Sequence, residues 1–244
     1  MRAFNIILVS ILIGVLGMFS GVTAQQKSAM ENPLSLKQQS MISVAAVTAK
    51  GDLPQLKVEL NKGLDAGLTV SQIKESLVHL YAYAGFPRSI RGLQTLIAVL
   101  DDRKAKGITD DTGLKASPIS DERSKYERGK AILEELTGTS ETVPKTGYAA
   151  FAPEIEVFLK EHLFADIFER DVLTYAEREL VTVSVLSSIG GVEPMLHSHL
   201  NICLNVGITP AQLQQFIETI KSTIGKKEAK AAQKALDEVL KSKT

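Results

Sequence analysis

The sequence predicts an all-α protein in which two tandem helical repeats pack together as an internal pseudo-dimer. Three observations support this fold class: two parts of the chain resemble each other, their helix caps agree, and apolar residues recur at helical spacing. We find no sustained alternation of apolar and polar residues of the kind that a strand requires. Because each repeat is small, neither alone would bury a large core, and we expect the two to pack on each other.

The internal similarity covers helices and the turns between them. Residues 34–44 (LSLKQQSMISV) align with residues 173–183 (LTYAERELVTV), and residues 56–69 align with residues 196–209 after one extra residue near Gly190. At each predicted helix start a Ser or Thr is followed three residues later by Gln or Glu, the pattern of a capping box. These boxes are Ser35 with Gln38, Thr69 with Gln72, Thr174 with Glu177, and Thr209 with Gln212.

Each repeat is predicted to contain four helices, of which the last lies near Ser89–Lys104 in the first repeat and Lys226–Lys241 in the second. Two further helical stretches, Glu122–Leu136 and Pro153–Phe168, lead into the second repeat. We therefore predict four segments along the chain. They are a signal peptide at 1–24, a first helical repeat at 33–105, a linker at 106–125 and a second helical repeat at 126–240.

The N-terminus has the pattern of a secretory signal peptide. Arg2 precedes an almost unbroken apolar stretch, Ile6–Phe19, and small residues end the segment at Val22–Ala24. This stretch is shorter than the ~20 residues that a membrane span needs, and the alternative is an uncleaved anchor. We expect an exported protein, periplasmic or secreted, with no membrane contact once the signal has been removed.

Composition excludes several classes of protein. The 28 basic and 28 acidic residues give no net charge, so we expect no nucleic-acid partner, which usually requires a basic excess. Cys203 is the single cysteine, which rules out a disulfide framework, a Cys-x-x-Cys redox pair and a cysteine-rich zinc site. His197 and His199 are two residues apart and cannot share an ion on a regular helix, so we expect no metal site.

Three segments carry a resemblance to a known family. They are YAYAGFPR at 81–88, ERELV at 177–181, and GGVEPMLHSHLN at 190–201 followed by GIT at 207–209. In combination they resemble the carboxymuconolactone decarboxylase family, which is related to alkylhydroperoxidase D. The resemblance implies an all-helical fold, a homo-oligomer (a trimer or hexamer) and a site without a cofactor. It also implies conversion of 4-carboxymuconolactone to the enol-lactone, or peroxidase chemistry at a Cys-x-x-Cys pair assisted by Glu and His.

The sequence departs from the family pattern at the cysteines. The Cys-x-x-Cys positions, seven and four residues before His199, hold Val192 and Met195, so thiol peroxidase chemistry of that type is not available. The counterpart of His199 in the first repeat is Glu59, and the counterpart of YAGFP in the second repeat is TIGKK at 223–227. Each repeat has kept a different half of the motif. Our hypothesis is that one site combines His199 with groups of the neighbouring repeat or of a neighbouring subunit.

His199 and Glu179 are the predicted catalytic residues. His199 borders an apolar helix face, where an imidazole can change protonation near neutral pH, although a core histidine without function has the same pattern. Glu179 matches the proton-relay Glu that the resemblance implies, whereas a glutamate near a helix start is also favoured by the helix dipole. Glu177 is expected to serve only as a cap, and Arg178 is expected to be solvated.

Arg88, Tyr83 and His197 are the predicted substrate-binding residues. Arg88 could bind a carboxylate in bidentate geometry, or it could be a solvated residue at a helix start. Tyr83 could donate a hydrogen bond to an oxyanion, or it could be a core aromatic. His197 points to a different side of the helix from His199 and is expected at the surface or an interface. His79 carries no functional signal in this reading.

Three functions are therefore open at the level of sequence. The first is a cofactor-free decarboxylase or lactone-processing enzyme of the carboxy-lyase type, acting on a small organic acid or lactone. The second is a non-catalytic helical oligomer that binds a small organic acid. The third is an antioxidant relative of alkylhydroperoxidase D that lacks the Cys-x-x-Cys pair.

Overall fold

A computed structural model describes residues 33–141 and 144–243. The predicted signal peptide, residues 1–24, lies outside the described residues. Within these ranges the secondary structure is helical and contains no strand, and the all-α fold class is confirmed. None of the described helices combines the length and apolar character that crossing a membrane requires.

The first repeat consists of four helices whose ends follow from local sequence. They are α1 (Leu36–Lys50), α2 (Leu53–Asp65), α3 (Val70–His79) and α4 (Tyr81–Ala105). Both predicted capping boxes are present, since Ser35 and Thr69 accept hydrogen bonds from the backbone of Gln38 and Gln72 while those side chains bond back.

Three helices and a π-helix come before the four helices that repeat this pattern. They are α5 (Lys125–Thr137), α6 (Gly147–Phe151), α7 (Pro153–Phe158) and the π-helix Leu159–Phe168. The repeated helices are α8 (Tyr175–Ile189), α9 (Glu193–Asn205), α10 (Pro210–Thr223) and α11 (Lys226–Lys241). The capping boxes at Thr174 and Thr209 are again both formed, as predicted.

The two repeats meet through their first helices, α1 and α8. Residues 41–49 of α1 and 178–188 of α8 are buried without interruption, so both helices are covered on all sides rather than on one stripe. One hydrophobic cluster places Ile42 and Ala46 of α1 among side chains of the second repeat. The other places Val181 and Val185 of α8 among side chains of the first repeat. Each core thus contains residues of both repeats, as expected for an internal pseudo-dimer.

A third cluster covers the segment that has no counterpart in the first repeat. It joins α5 to the π-helix through Leu136, Phe164 and Phe168 and reaches Ile202 of α9. Tyr81 and Tyr83 of the first repeat pack against its edge. This arrangement brings α4, α8, α9 and the π-helix together at one place, where Tyr83, Glu179 and His199 lie.

Candidate functional site

Glu179 and His199 form a hydrogen-bonded pair between α8 and α9. His199 Nδ1 lies 2.8 Å from Glu179 Oε2, and the Glu179 side chain is 0% exposed while that of His199 is 14% exposed. A carboxylate only accepts hydrogen bonds, so Nδ1 carries the hydrogen when Glu179 is ionised. The pair therefore leaves His199 Nε2 as the ring nitrogen that can take or give a proton.

Tyr83 of the first repeat lies beside this pair. Its ring meets that of His199 edge-on, with the ring centroids 5.7 Å apart and the planes at 84°. Gly85 has φ +78° and breaks the helical path of α4 two residues later, so Tyr83 stands on a short helical segment of its own before the kink. Within one chain, the first repeat thus supplies an aromatic hydroxyl beside a histidine of the second repeat.

Two polar atoms at this place are buried without a hydrogen-bond partner. They are the Tyr83 hydroxyl and Glu179 Oε1. Burial and the negative charge of Glu179 raise the pKa of Tyr83 well above its ordinary value, so the phenol stays protonated at neutral pH. Because buried polar groups are almost always paired, these two atoms indicate where the polar part of a ligand or a water molecule would bind.

A buried network lies on the other side of Tyr83. Arg178 Nη2 donates to Glu75 Oε1 over 2.9 Å, and Arg170 donates to both oxygens of the same carboxylate over 2.8 and 3.0 Å. The prediction that Arg178 is solvated is wrong, because its side chain is 0% exposed. The physical reason is that α8 is buried on all sides between the repeats, so its arginine needs a buried carboxylate partner.

Sequence reasoning missed His79. Its ring is buried, Nε2 lies 2.9 Å from Thr182 Oγ1, and its centroid lies 5.5 Å from that of Tyr83 and 5.0 Å from that of Phe168. Burial and the charge of Arg178, with a further contribution from His199, lower the pKa of His79 well below its ordinary value. The available signal was the spacing of Glu75, His79 and Tyr83 at intervals of four residues, which places three polar groups on one face of a predicted helix.

Cys203 lies in the same region, in an environment that disfavours its thiolate form. The thiol is buried, and burial together with the charge of Glu179 raises its pKa well above the ordinary value. Since the thiolate is the reactive form, this environment disfavours nucleophilic or redox chemistry at the sulfur.

Arg88 and His197 lie apart from the hydrogen-bonded pair. The Arg88 side chain is exposed, and its guanidinium lies against Gly51 at the end of α1. It makes no hydrogen bond or ion pair with His199, Glu179 or Tyr83. His197 is half-buried and lies on a different side of α9 from His199. Substrate binding by Arg88 and His197 stays a prediction.

The described residues contain no group of three or more His, Cys, Asp or Glu side chains arranged to hold a metal ion. Two surface cavities, of about 290 and 720 Å³, lie next to Thr223 and Thr69, and neither is lined by His199 or Glu179. The pair reaches solvent through the exposed edge of His199, so a ligand would approach from that side.

These features define an all-helical protein with a buried carboxylate–imidazole pair between two repeats. A profile of the carboxymuconolactone decarboxylase family matches residues 17–97 and 153–238, more than half of the chain. The chain belongs to the carboxymuconolactone decarboxylase family.

Two relatives show how far this similarity extends. The 4-carboxymuconolactone decarboxylase of Acinetobacter baylyi is 27% identical over 124 residues, which cover 50% of this chain and 91% of that protein. An uncharacterised protein of Methanocaldococcus jannaschii is 29% identical over 70 residues, which cover 29% of this chain and 65% of the relative. The Acinetobacter protein is thus matched almost along its whole length by half of this chain.

Proposed function

We propose that the protein is a cofactor-free decarboxylase or lactone-processing enzyme, and that His199 and Glu179 are its acid–base pair. The observation that carries the proposal is the 2.8 Å hydrogen bond between His199 Nδ1 and Glu179 Oε2 beside an unpartnered tyrosine hydroxyl. Family membership and the distant similarity to a 4-carboxymuconolactone decarboxylase support a reaction of this type.

The proposed step is loss of CO₂ from an unsaturated lactone acid. The bond between the ring carbon and the carboxylate breaks, and its electron pair passes into the lactone carbonyl to give a dienolate. The Tyr83 hydroxyl donates a hydrogen bond to the dienolate oxygen, since preorganised donors stabilise charge that develops in the transition state. His199, protonated on Nε2, delivers a proton to carbon while Glu179 stabilises the imidazolium, and a proton from solvent restores the pair.

Arg88 and His197 complete the proposal as groups that bind the substrate's outer parts. Arg88 stands on the exposed surface, where a guanidinium can meet a carboxylate before the substrate reaches the pair. The sequence predicts an export signal, and we therefore propose that the substrate, a small organic acid or lactone, is met outside the cytoplasm. In this scheme the chain works as a homo-oligomer, as the family resemblance implies.

Turnover by the purified full chain tests the proposal. We would mix it with 4-carboxymuconolactone and a panel of related lactone acids, and follow CO₂ release and loss of lactone absorbance. His199→Ala should lower turnover by about 10²–10⁴-fold, the usual contribution of a positioned acid or base. Glu59→Ala is the matched control, because Glu59 occupies the counterpart position in the first repeat, and turnover should be unchanged.

The outcomes separate an enzyme from a non-catalytic binding protein. Turnover that collapses in His199→Ala but not in Glu59→Ala supports the enzyme. A folded protein that turns over none of the panel, but binds one of these acids with a His199-dependent affinity, overturns catalysis in favour of a binding protein. Turnover that is unaffected by His199→Ala overturns the assignment of the acid–base pair.

A further inference from the structure

The buried network around His79 fixes the position of its hydrogen atoms. Arg178 Nη1 lies 3.4 Å from His79 Nδ1, and a guanidinium has only donors, so Nδ1 of the neutral ring must accept. The ring hydrogen is then on Nε2, which lies 2.9 Å from Thr182 Oγ1 and donates to it. Thr182 in turn donates to the Arg178 carbonyl oxygen over 3.0 Å.

This order of donors leaves Thr182 and His79 without a hydrogen for the Tyr83 hydroxyl. The Thr182 hydrogen is committed to the Arg178 carbonyl, and the His79 hydrogen is committed to Thr182. Neither group can donate to the Tyr83 hydroxyl, which has no partner and whose ring lies between those of His79 and His199. The phenol oxygen therefore receives no hydrogen from the network, and the phenol hydrogen, which has no acceptor among the described residues, is available to a ligand oxygen.

The charges of the network point the same way. Two guanidinium groups, of Arg170 and Arg178, share the single carboxylate of Glu75, and of the two only Arg178 is buried, since the Arg170 side chain is 39% exposed. The Arg178 side chain is 0% exposed, so its charge is poorly screened by water. When His199 is protonated, as in the proposed step, its charge offsets that of Glu179, and the positive charge of Arg178 then favours an anionic oxygen at the Tyr83 hydroxyl. His79 stays neutral beside Arg178, so it serves as support and not as a second acid.

We propose that Arg178, His79 and Thr182 are positioning residues that hold the Tyr83 hydroxyl as a hydrogen-bond donor to an anionic oxygen of the ligand beside His199. The proposal rests on the proposed function in that it adds a donor and a charge preference to the same site. The ligand class is a small organic anion with an enolate-like or carboxylate oxygen. None of the three residues touches the ligand; each acts through its neighbour.

The arrangement of hydrogens is tested without any substrate. In the full chain labelled with ¹⁵N at histidine, NMR should show His79 as the neutral Nε2–H tautomer throughout pH 5–8. In the double variant Glu75→Gln/Arg178→Met, which removes both buried charges together, the preference for this tautomer should be lost and the ring should begin to titrate. An Nδ1–H tautomer in the wild type, or a double variant with unchanged shifts, would overturn the proposal.

The effect on the ligand is tested with the pair His79→Gln and His79→Leu. A glutamine amide can replace the Nε2–H donor to Thr182, whereas leucine has a similar size and cannot donate. With a substrate from the panel, His79→Leu should lower kcat by about tenfold, the worth of roughly one hydrogen bond, and His79→Gln should restore most of it. The loss should vanish in a Tyr83→Phe background, because the two substitutions remove the same interaction.

A merely structural role predicts a different result. Both His79 variants would then lose activity in proportion to their lower stability, and the loss would persist in the Tyr83→Phe background. Either finding contradicts positioning through Tyr83. If the wild type turns over no substrate, the proposed function fails while the tautomer measurement still decides whether the network holds its hydrogens as described.

Discussion

Positions that the internal pseudo-symmetry relates carry different side chains in the two repeats. One place holds a carboxylate–imidazole pair and a buried ion pair, and its counterpart, related by the pseudo-symmetry, holds uncharged side chains and one glutamate. The first set is Glu75, His79, Tyr83, Arg178, Glu179, Thr182 and His199. The counterparts in the same order are Gln215, Thr219, Thr223, Gln39, Ser40, Ser43 and Glu59.

The counterpart residues satisfy one another and the backbone. Gln215 accepts from the Leu34 backbone N–H over 2.7 Å, and Gln39 donates to the Leu34 carbonyl over 2.8 Å. These two glutamines occupy the positions that correspond to Glu75 and Arg178. Thr223 and Ser43 hydrogen-bond over 3.0 Å, whereas the Tyr83 hydroxyl is unpartnered. The comparison teaches that the helical frame tolerates either set, so the orphan atoms at one place are not imposed by the fold.

The largest expected effect separates Glu179 from its counterpart, Ser40. Glu179→Gln keeps the shape of the side chain but removes the charge that stabilises a protonated His199. We expect turnover of a panel substrate to fall by about 10²-fold or more, within the range of acid–base contributions. Ser40→Ala, at the counterpart position, should leave turnover unchanged.

Steady-state kinetics over pH 5–9 provide the measurement. Adding His199→Ala to Glu179→Gln should cost little more than His199→Ala alone, since groups that act as one unit are non-additive. Independent, multiplying losses would show that the two residues do not act as a pair.

The next effect concerns stability and compares Glu75 with Gln215. Glu75→Ala leaves the Arg178 charge buried without its carboxylate, which costs about 3–5 kcal/mol of the free energy of unfolding. Gln215→Ala loses one hydrogen bond to the backbone of Leu34, worth about 1 kcal/mol. Urea unfolding of both variants measures the difference, and equal losses would contradict a buried charge network.

The Glu75 network also predicts a dependence on pH. Burial alone would raise the pKa of Glu75, but hydrogen bonds and charges of Arg170 and Arg178 outweigh it and lower the pKa below 4.5. A carboxyl with a lowered pKa in the folded state stabilises the fold above its ordinary value, and this contribution is lost as pH falls through the folded pKa. We expect the stability of the wild type to fall toward that of Glu75→Gln below pH 4.5.

The fold was predictable because its signals are local or periodic. Capping boxes, glycine turns and apolar spacing are read within a few residues, and the structure shows all four boxes. The proximity of Tyr83 to His199 was a hypothesis drawn from the two half-motifs. Arg178 and His79 were misjudged because their burial arises from the packing of α8 between the repeats, which neither residue's neighbours in sequence reveal.

The smallest expected effect is one that the two repeats should share. Ser35 and Thr174 cap α1 and α8 in the same way, each accepting from the backbone three residues on. Ser35→Ala and Thr174→Ala should each lower the free energy of unfolding by about 1 kcal/mol, the usual worth of an N-cap. Urea unfolding at pH 7 should give losses that agree within about 0.5 kcal/mol, because the caps sit at equivalent exposed helix starts. A much larger loss at Thr174 would mean that its capping box also supports the Glu179 position, and the difference between the repeats would then extend to their helix starts.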